Sequence, residues 1–418
     1  MSSRDSDGSE SEFHMPTVVG SLVAGVFFGG VGGGVAFPTL PTLGTVLGLS
    51  PLLVGVILSI NRFTRLLMNT PAGGYIDKVG TRKPMIVGFI FQGVPPFGYI
   101  VGLHADMIPL FGPASIFIAA RIVWGLGSAF VFVGAFSTVV HVTSDNNRGK
   151  WIGYFRGGQS LGFPSGLIAG GILTDLYGYE VAFGIAGTLG LLAAGVSAVV
   201  LPDVSPSFTQ PTRFRDVPGI VLSDSRIFMI GSINFTVRFL FHGVLLSTIV
   251  VFATVNEITI GEFSAIGVSG VIMGFSVIFS STTTAVTGSL SDRVRNRLYI
   301  TVPSLAAITA GFVILSAIPT LEGTLTGLAV IGIGIGGTSP PLLALLGDLS
   351  PAGDTGKLGG VYNMFGDLGM TLGPLVALPV AERVGYAMEY LLCAGMVGIV
   401  LCVLVTTMLL PASDVEAD

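Results

Sequence analysis

The chain alternates long apolar stretches with short polar ones, and twelve of the apolar stretches predict helices that cross a membrane. They run near 16–43, 51–75, 84–103, 112–141, 151–173, 181–201, 228–254, 264–287, 298–318, 323–347, 357–380 and 387–410. Each supplies about the 20 predominantly apolar residues that one crossing needs. The longest polar connection, 202–227 (PDVSPSFTQPTRFRDVPGIVLSDSRI), separates the sixth run from the seventh. It divides the chain into halves at 16–201 and 228–410, with polar tails at 1–15 and 411–418. The expected fold is an all-α integral membrane protein of twelve transmembrane helices in two pseudo-symmetric six-helix bundles.

Basic residues orient this arrangement. If the first tail is cytoplasmic, the inner segments hold Arg4, Lys78, Arg82, Lys83, Arg148, Lys150, Arg213, Arg215, Arg226, Arg293, Arg295, Arg297 and Lys357. The outer loops hold only Arg383. Cytoplasmic loops collect Lys and Arg, so both termini are expected inside.

Internal repetition supports the division. Gly73–Lys83 reads GGYIDKVGTRK and Gly288–Leu298 reads GSLSDRVRNRL, placing Asp77 and Asp292 at matching positions. Gly158, Gly162 and Pro164 in the fifth run parallel Gly369, Gly373 and Pro374 in the eleventh. Gly178-Tyr179 and Gly385-Tyr386 follow in turn. Duplicated helical units are a common construction of transporters.

Composition agrees with a lipid environment. The 418 residues are 51% hydrophobic and only 10% charged, against a usual charged fraction of about 25%. The 61 glycines suit helices whose backbones approach closely. Residues 1–13 (MSSRDSDGSESEF) lack the basic start and short apolar core of a cleavable signal, and predict a disordered cytoplasmic tail. A net charge of −5 gives no footprint for nucleic acid. Cys393 and Cys402 lie nine residues apart in one run, about 13 Å along a helix and too far for a disulfide. Four lysines against fifteen arginines, with acidic ends, point to a prokaryotic source.

At this point the sequence resembles the major facilitator superfamily. That family's loop between helices two and three has the form Gly-x-x-x-Asp-Arg/Lys-x-Gly-Arg-Arg/Lys, matched by Gly73, Asp77, Lys78, Gly80, Arg82 and Lys83, with Thr81 where a basic residue is common. Pro38-x-Leu40-Pro41 leaving the first helix, Arg121-xxx-Gly125-x-Gly127 in the fourth and Arg148-Gly149 opening the fifth also match. The pattern looks closest to twelve-helix drug:proton antiporters, although Phe163 separates Gly162 from Pro164 where those proteins join Gly to Pro directly. The resemblance implies a secondary active transporter of a small-molecule substrate in the cell membrane, coupled to protons, with Arg121 serving coupling. It implies a conformational latch of Gly73, Asp77, Lys78, Gly80, Arg82, Asp292 and Arg293. An anionic Asp77 can bind a helix N-terminus in one conformation and release it in another. The competing reading is that these charges merely obey the inside-positive rule.

The membrane should hold few charges, because each costs roughly 2.5–3.5 kcal/mol at its centre. They are Arg62 and Arg65 in the second run, Arg121 in the fourth, Arg156 in the fifth, Arg238 in the seventh and Asp367 in the eleventh. Asn61, Arg62, Arg65 and Asn69 occupy about a 100° arc of one helix. Asn234, Arg238 and His242 recur every four residues, as do Asn363, Asp367 and Thr371. Such stripes predict a net-positive central cavity lined by Arg62, Arg65, Arg121, Arg238, His242, Asn363 and Asp367. Arginine recognises carboxylate or phosphate with several planar donors. The bland alternative keeps some arginines structural, with Arg62 or Arg65 paired to Asp367. Asp367 is then either a coupling proton carrier or a counter-ion. His242 is either titratable near neutrality or a packing residue.

Two functional directions follow: proton-coupled efflux of a small organic solute, or uptake or exchange of an organic anion. A transporter-like sensor without turnover is the alternative of another class. The spans carry no nucleophile–base or metal-ligand constellation, so neither an enzyme, a metal nor a cofactor is expected. Gly25, Gly29 and Gly33, and GIGIGG at 332–337, read as packing faces rather than nucleotide loops. A monomer, with protons and membrane lipids as its other partners, completes the expectation.

Overall fold

The computed structural model of the chain describes residues 15–105, 112–143, 148–202, 204, 219–221, 224–294, 296–349 and 355–409. The expected tails and most of the 202–227 connection lie outside the described residues. Twelve long helices make up nearly all the rest. They are α1 Met15–Val46, α2 Pro51–Val79, α3 Arg82–Leu103, α4 Pro113–Val142, α5 Arg148–Tyr177 and α6 Tyr179–Val200. The second half repeats the pattern with α7 Ser225–Val255, α8 Ala265–Ser291, α9 Leu298–Ala317, α10 Leu321–Asp348, α11 Thr355–Val384 and α12 Tyr386–Leu409. Helices satisfy every backbone donor and acceptor within themselves, as a hydrocarbon environment requires.

Local chemistry sets the ends. Ser50, Asp224, Ser264 and Thr320 each cap a helix by accepting a bond from a first-turn N–H. Gly178 and Gly385, at φ of +85° and +83°, are the single residues between α5 and α6 and between α11 and α12. A side chain would strain either turn.

Eleven of the helices are long and apolar enough to cross a membrane among the described residues; α5 is not. Its inner half carries Arg156, Gln159 and Ser160 on a wet face, which lowers its mean hydropathy. Two further differences from the sequence reading concern kinks. Pro38 and Pro41 lie inside α1 instead of ending it. Thr39 Oγ1 donates to the Val35 carbonyl at 2.7 Å, and Thr42 Oγ1 to the Thr39 carbonyl at 2.8 Å. The seventh run is also interrupted: Phe239–Leu245 form a π-helical segment directly after Arg238. Such segments concentrate at functional sites.

Within the first half, α1 packs on α5 and α6, α3 on α4 and α6, and α2 on α4. The second half repeats this with α7 on α11, α9 on α10 and α12, and α8 on α10. Missing side chains permit the closest approaches. A β-carbon on Gly34 would meet the backbone of Phe163 and Leu167, and one on Gly166 would meet the backbone of Val31. Gly243 and Gly373 approach each other in the same way between α7 and α11.

Two helix pairs dominate the junction of the halves, α2 with α11 and α5 with α8, and α1 also touches α7 and α8. Helix direction places Lys78, Arg82, Arg226, Arg293 and Arg297 at one end of the bundle, here the basic end. At the opposite, far end the halves are in contact. Gly55 of α2 abuts the backbone of Pro374 and Leu375, and Gly171 of α5 abuts Gly270 and the Ile266 carbonyl. Asp175, near the end of α5, accepts from the Ser264 N–H at 2.9 Å and from the Ser264 hydroxyl. That carboxylate sits on the N-terminus of α8, where the helix dipole favours an anion.

Candidate functional site

A cavity of about 1120 Å³ lies between the halves. Its lining comes from residues 61–70 of α2, 155–163 of α5, 277–288 of α8 and 360–370 of α11, all in the mid-to-basic part of those helices. At the far end the Gly55, Gly171 and Asp175 contacts hold the two halves together. Aromatic walls come from Phe37, Trp124, Phe132, Phe155, Phe163 and Phe241.

The polar stripes converge here. Arg62, Arg65, Arg238, His242, Asn363 and Asp367 all line the cavity, as do Asn61, Asn69, Asn234 and Arg156. At mid-depth Arg65 Nη2 donates to Asp367 Oδ1 at 2.7 Å, an ion pair from one half to the other. Of the two pairings open from sequence, the structure makes this one. Thr371 Oγ1 donates to the Asp367 backbone carbonyl at 2.7 Å, not to its carboxylate. Arg62 forms no ion pair among the described residues: its Nη1 lies 2.7 Å from the Met370 sulfur, and its guanidinium stacks over Phe37 at 5.5 Å.

Arg238 has neither a hydrogen bond nor an ion pair among the described residues, although only half-buried in the cavity wall. Neighbouring Asn234 is spent on the Tyr362 carbonyl at 2.7 Å. Three buried atoms of residues lining the same space also lack partners among the described residues, His242 Nδ1, Gln92 Oε1 and Asn69 Oδ1. Buried polar atoms without partners are rare in folded proteins and call for an explanation. Among the described residues the cavity lining thus holds four arginines against one carboxylate.

Arg121 is the correction. It does not line the cavity and is 1% exposed. Its Nε donates to the Ile57 carbonyl at 3.0 Å, and its Nη2 to the Leu58 carbonyl at 3.2 Å and Asn61 Oδ1 at 2.9 Å. The guanidinium also lies over Trp124 at 5.5 Å. An arginine buried in an apolar helix is stable here because carbonyls and an amide take its donors, binding α4 to α2.

The loop residues fall into two groups. Gly73 is buried beside Val133, and Gly80 ends α2 by donating to the Ile76 carbonyl at 2.9 Å. Arg82 Nη2 donates to the Ala198 carbonyl at 2.6 Å, and the Thr81 N–H to the Val204 carbonyl at 2.9 Å. These bonds pin the loop to its own half. Asp77 and Lys78 stand exposed, and the helix N-terminus expected for Asp77 is not met among the described residues. In the second half Arg293 is exposed, and the basic residue at work is Arg297. It reaches Asp348 at 2.8 Å and Asp292 at 3.5 Å. Its bond to Asp348 raises the guanidinium above its ordinary proton affinity. Sequence spacing missed Arg297–Asp348, because a pair 51 residues apart leaves no periodic trace. Gly158 and Gly162 press against Val23 and Phe27 of α1, and the Pro164 carbonyl faces Gly274 of α8.

Comparison with known proteins gives these features a family. The chain is 24% identical over 358 residues to multidrug resistance protein 1 of Bacillus subtilis, covering 85% of this chain and 87% of that one. It is 26% identical over 367 residues to an uncharacterized MFS-type transporter of Methanocaldococcus jannaschii, covering 86% and 90%. Its fold superposes, with a TM-score of 0.75 at 13% identity, on a bacterial homologue of the human lysosomal transporter Spinster in an inward-facing, occupied conformation. That match covers 94% of this chain and 96% of the other. The family model of the Major Facilitator Superfamily matches residues 22–374. This chain is a multi-pass membrane protein that belongs to the major facilitator superfamily.

Proposed function

We propose that the protein is a secondary active transporter, working by alternating access, whose cargo is a small organic solute with an acidic group. The observation that carries this reading is the imbalance of charge in the central cavity. Arg238 and Arg62 present guanidinium groups that form no ion pair among the described residues, inside an enclosure rich in aromatic side chains. A carboxylate or phosphonate would satisfy those donors, and an aromatic or aliphatic body would suit the walls. The volume, about 1120 Å³, is ample for a drug-sized molecule.

Orientation follows from the basic residues. With the basic end in the cytoplasm, the conformation described is open inward and closed outward. Movement of the halves about the α2–α11 and α5–α8 contacts would expose the same cavity to the other side. Proton-driven efflux is the second reading, favoured by the relative named for multidrug resistance, which matches across 85% of the chain.

Counterflow in proteoliposomes tests the cargo class. Liposomes loaded with naphthoate are expected to accumulate external labelled naphthoate, whereas naphthylmethylammonium gives no counterflow. Exchange confined to the ammonium compound would contradict the acidic-cargo reading. Binding without counterflow of either compound would make the protein a sensor.

A further inference from the structure

Resting on the acidic-cargo reading, we propose that Gln92 is a second recognition point for the cargo, taking a hydroxyl or amino group at the end of the molecule remote from its acid. The side chain reaches the cavity through a gap in another helix. α3 packs on α4 and α6 within its own half. Gln92 nevertheless lines the cavity, the one residue of α3 to do so among the described residues. It is 7% exposed, and its Oε1 has no hydrogen-bond partner among the described residues. A buried amide oxygen left unpaired is less stable than an apolar side chain in the same place, and a donor that arrives with the cargo accounts for it.

The glycines of α1 make the gap. Gly25, Gly29 and Gly33 recur every four residues and turn one bare face toward α3 and α4. A β-carbon on Gly29 would lie 2.5 Å from Gln92 Oε1, and one on Gly33 would lie 2.6 Å from the indole of Trp124. Gly29, Gly33 and Trp124 line the cavity together with Gln92. Close packing alone does not call for an amide here, since Phe89 fills the adjoining place against Gly25 with a ring. On its other side α3 is held against the backbone of Gly190 and Leu191 by Gly93, so a fixed stretch of backbone aims the amide.

Spacing along the wall sets the shape of the cargo. Arg62, one of the two arginines proposed to meet the acid, stacks over Phe37 at 5.5 Å, and Phe37 meets Phe163 edge to face at 5.6 Å. The Phe163 backbone faces Gly30, next to Gly29 and the amide. Eight residues of α1 separate Phe37 from Gly29, about 12 Å of helix rise. One wall thus carries a guanidinium, then aromatic rings, then an amide acceptor. A flat aromatic acid spans it when its donor lies across the ring system from the carboxylate. An acid whose donor neighbours the carboxylate does not, because those two groups bond to each other.

Competition against labelled 2-naphthoate on the purified protein tests this arrangement. 6-Hydroxy-2-naphthoate, with its hydroxyl remote from the acid, is expected to bind about fivefold more tightly than 2-naphthoate, within the range of one hydrogen bond. 3-Hydroxy-2-naphthoate, with the two groups adjacent, should show no such gain. Gln92→Leu and the unbranched Gln92→Met should each bring the ratio for the remote hydroxyl close to one. Each ratio is read within one preparation, so a smaller folded fraction does not disturb it. A ratio near one in the wild type, an equal gain for the adjacent hydroxyl, or a ratio that persists in either variant overturns this inference and leaves the acidic-cargo reading standing. Failure of all three acids to bind overturns both.

Discussion

Arg238→Ala is expected to lower naphthoate transport by about 100-fold while leaving the purified protein as stable as wild type. The size follows from the bond being removed. A hydrogen bond to a charged group is worth about 1.5–3 kcal/mol, and roughly 3 kcal/mol corresponds to a 100-fold change in affinity. Stability should hardly move, because Arg238 makes no hydrogen bond or ion pair among the described residues. Removing it takes an uncompensated charge out of the cavity wall, and the side chain beneath is already held by the Asn234 bond to the Tyr362 carbonyl. Arg238→Lys should recover only part of the activity, since a point charge lacks the planar fork that meets a carboxylate with two donors. Initial rates in proteoliposomes and a melting curve in detergent measure the two quantities side by side. Undiminished transport would remove Arg238 from the cargo site.

Arg121→Ala should do the reverse. The loss of a fully buried side chain with three donated bonds and a stacked indole is expected to cost about 3–5 kcal/mol. Asn61 Oδ1, itself in a buried residue, would lose the partner that fixes it. The result should appear as a much lower melting temperature and a poor yield of membrane-inserted protein. Arg121→Lys should be intermediate, because one ammonium cannot span the Ile57 and Leu58 carbonyls and the Asn61 amide together. A variant that melts like wild type yet fails to couple transport to protons would instead restore Arg121 to the coupling role that its family position implies.

The contrast between these two arginines shows where the sequence was legible. The apolar runs and the motifs resembling the family foretold an all-α membrane fold of that family. Spacing of four along α7 and α11 put Arg238, His242, Asn363 and Asp367 on cavity-facing stripes, because polar side chains on a membrane helix must find water or protein. The same rule could not separate Arg121 from them. A buried guanidinium satisfied by backbone carbonyls looks, in sequence, like one that faces water. Pro38 and Pro41 lie inside α1, which runs on to Val46, so prolines near the end of an apolar run do not mark where its helix stops. The π segment after Arg238 left no mark on the hydrophobic pattern, and the Asp175–Ser264 bond joins residues 89 apart in the chain.

That last bond sits where alternating access can be tested directly. Asp175 and Ser264 join the two halves at the far end, and the account requires them to separate whenever the cavity opens there. The decisive measurement is transport by Asp175→Cys/Ser264→Cys in a background with Cys393 and Cys402 replaced by serine. Oxidative cross-linking of this pair should abolish naphthoate transport while leaving access from the basic end intact, and reduction should restore it. Full transport with the bridge formed would contradict alternating access through this cavity.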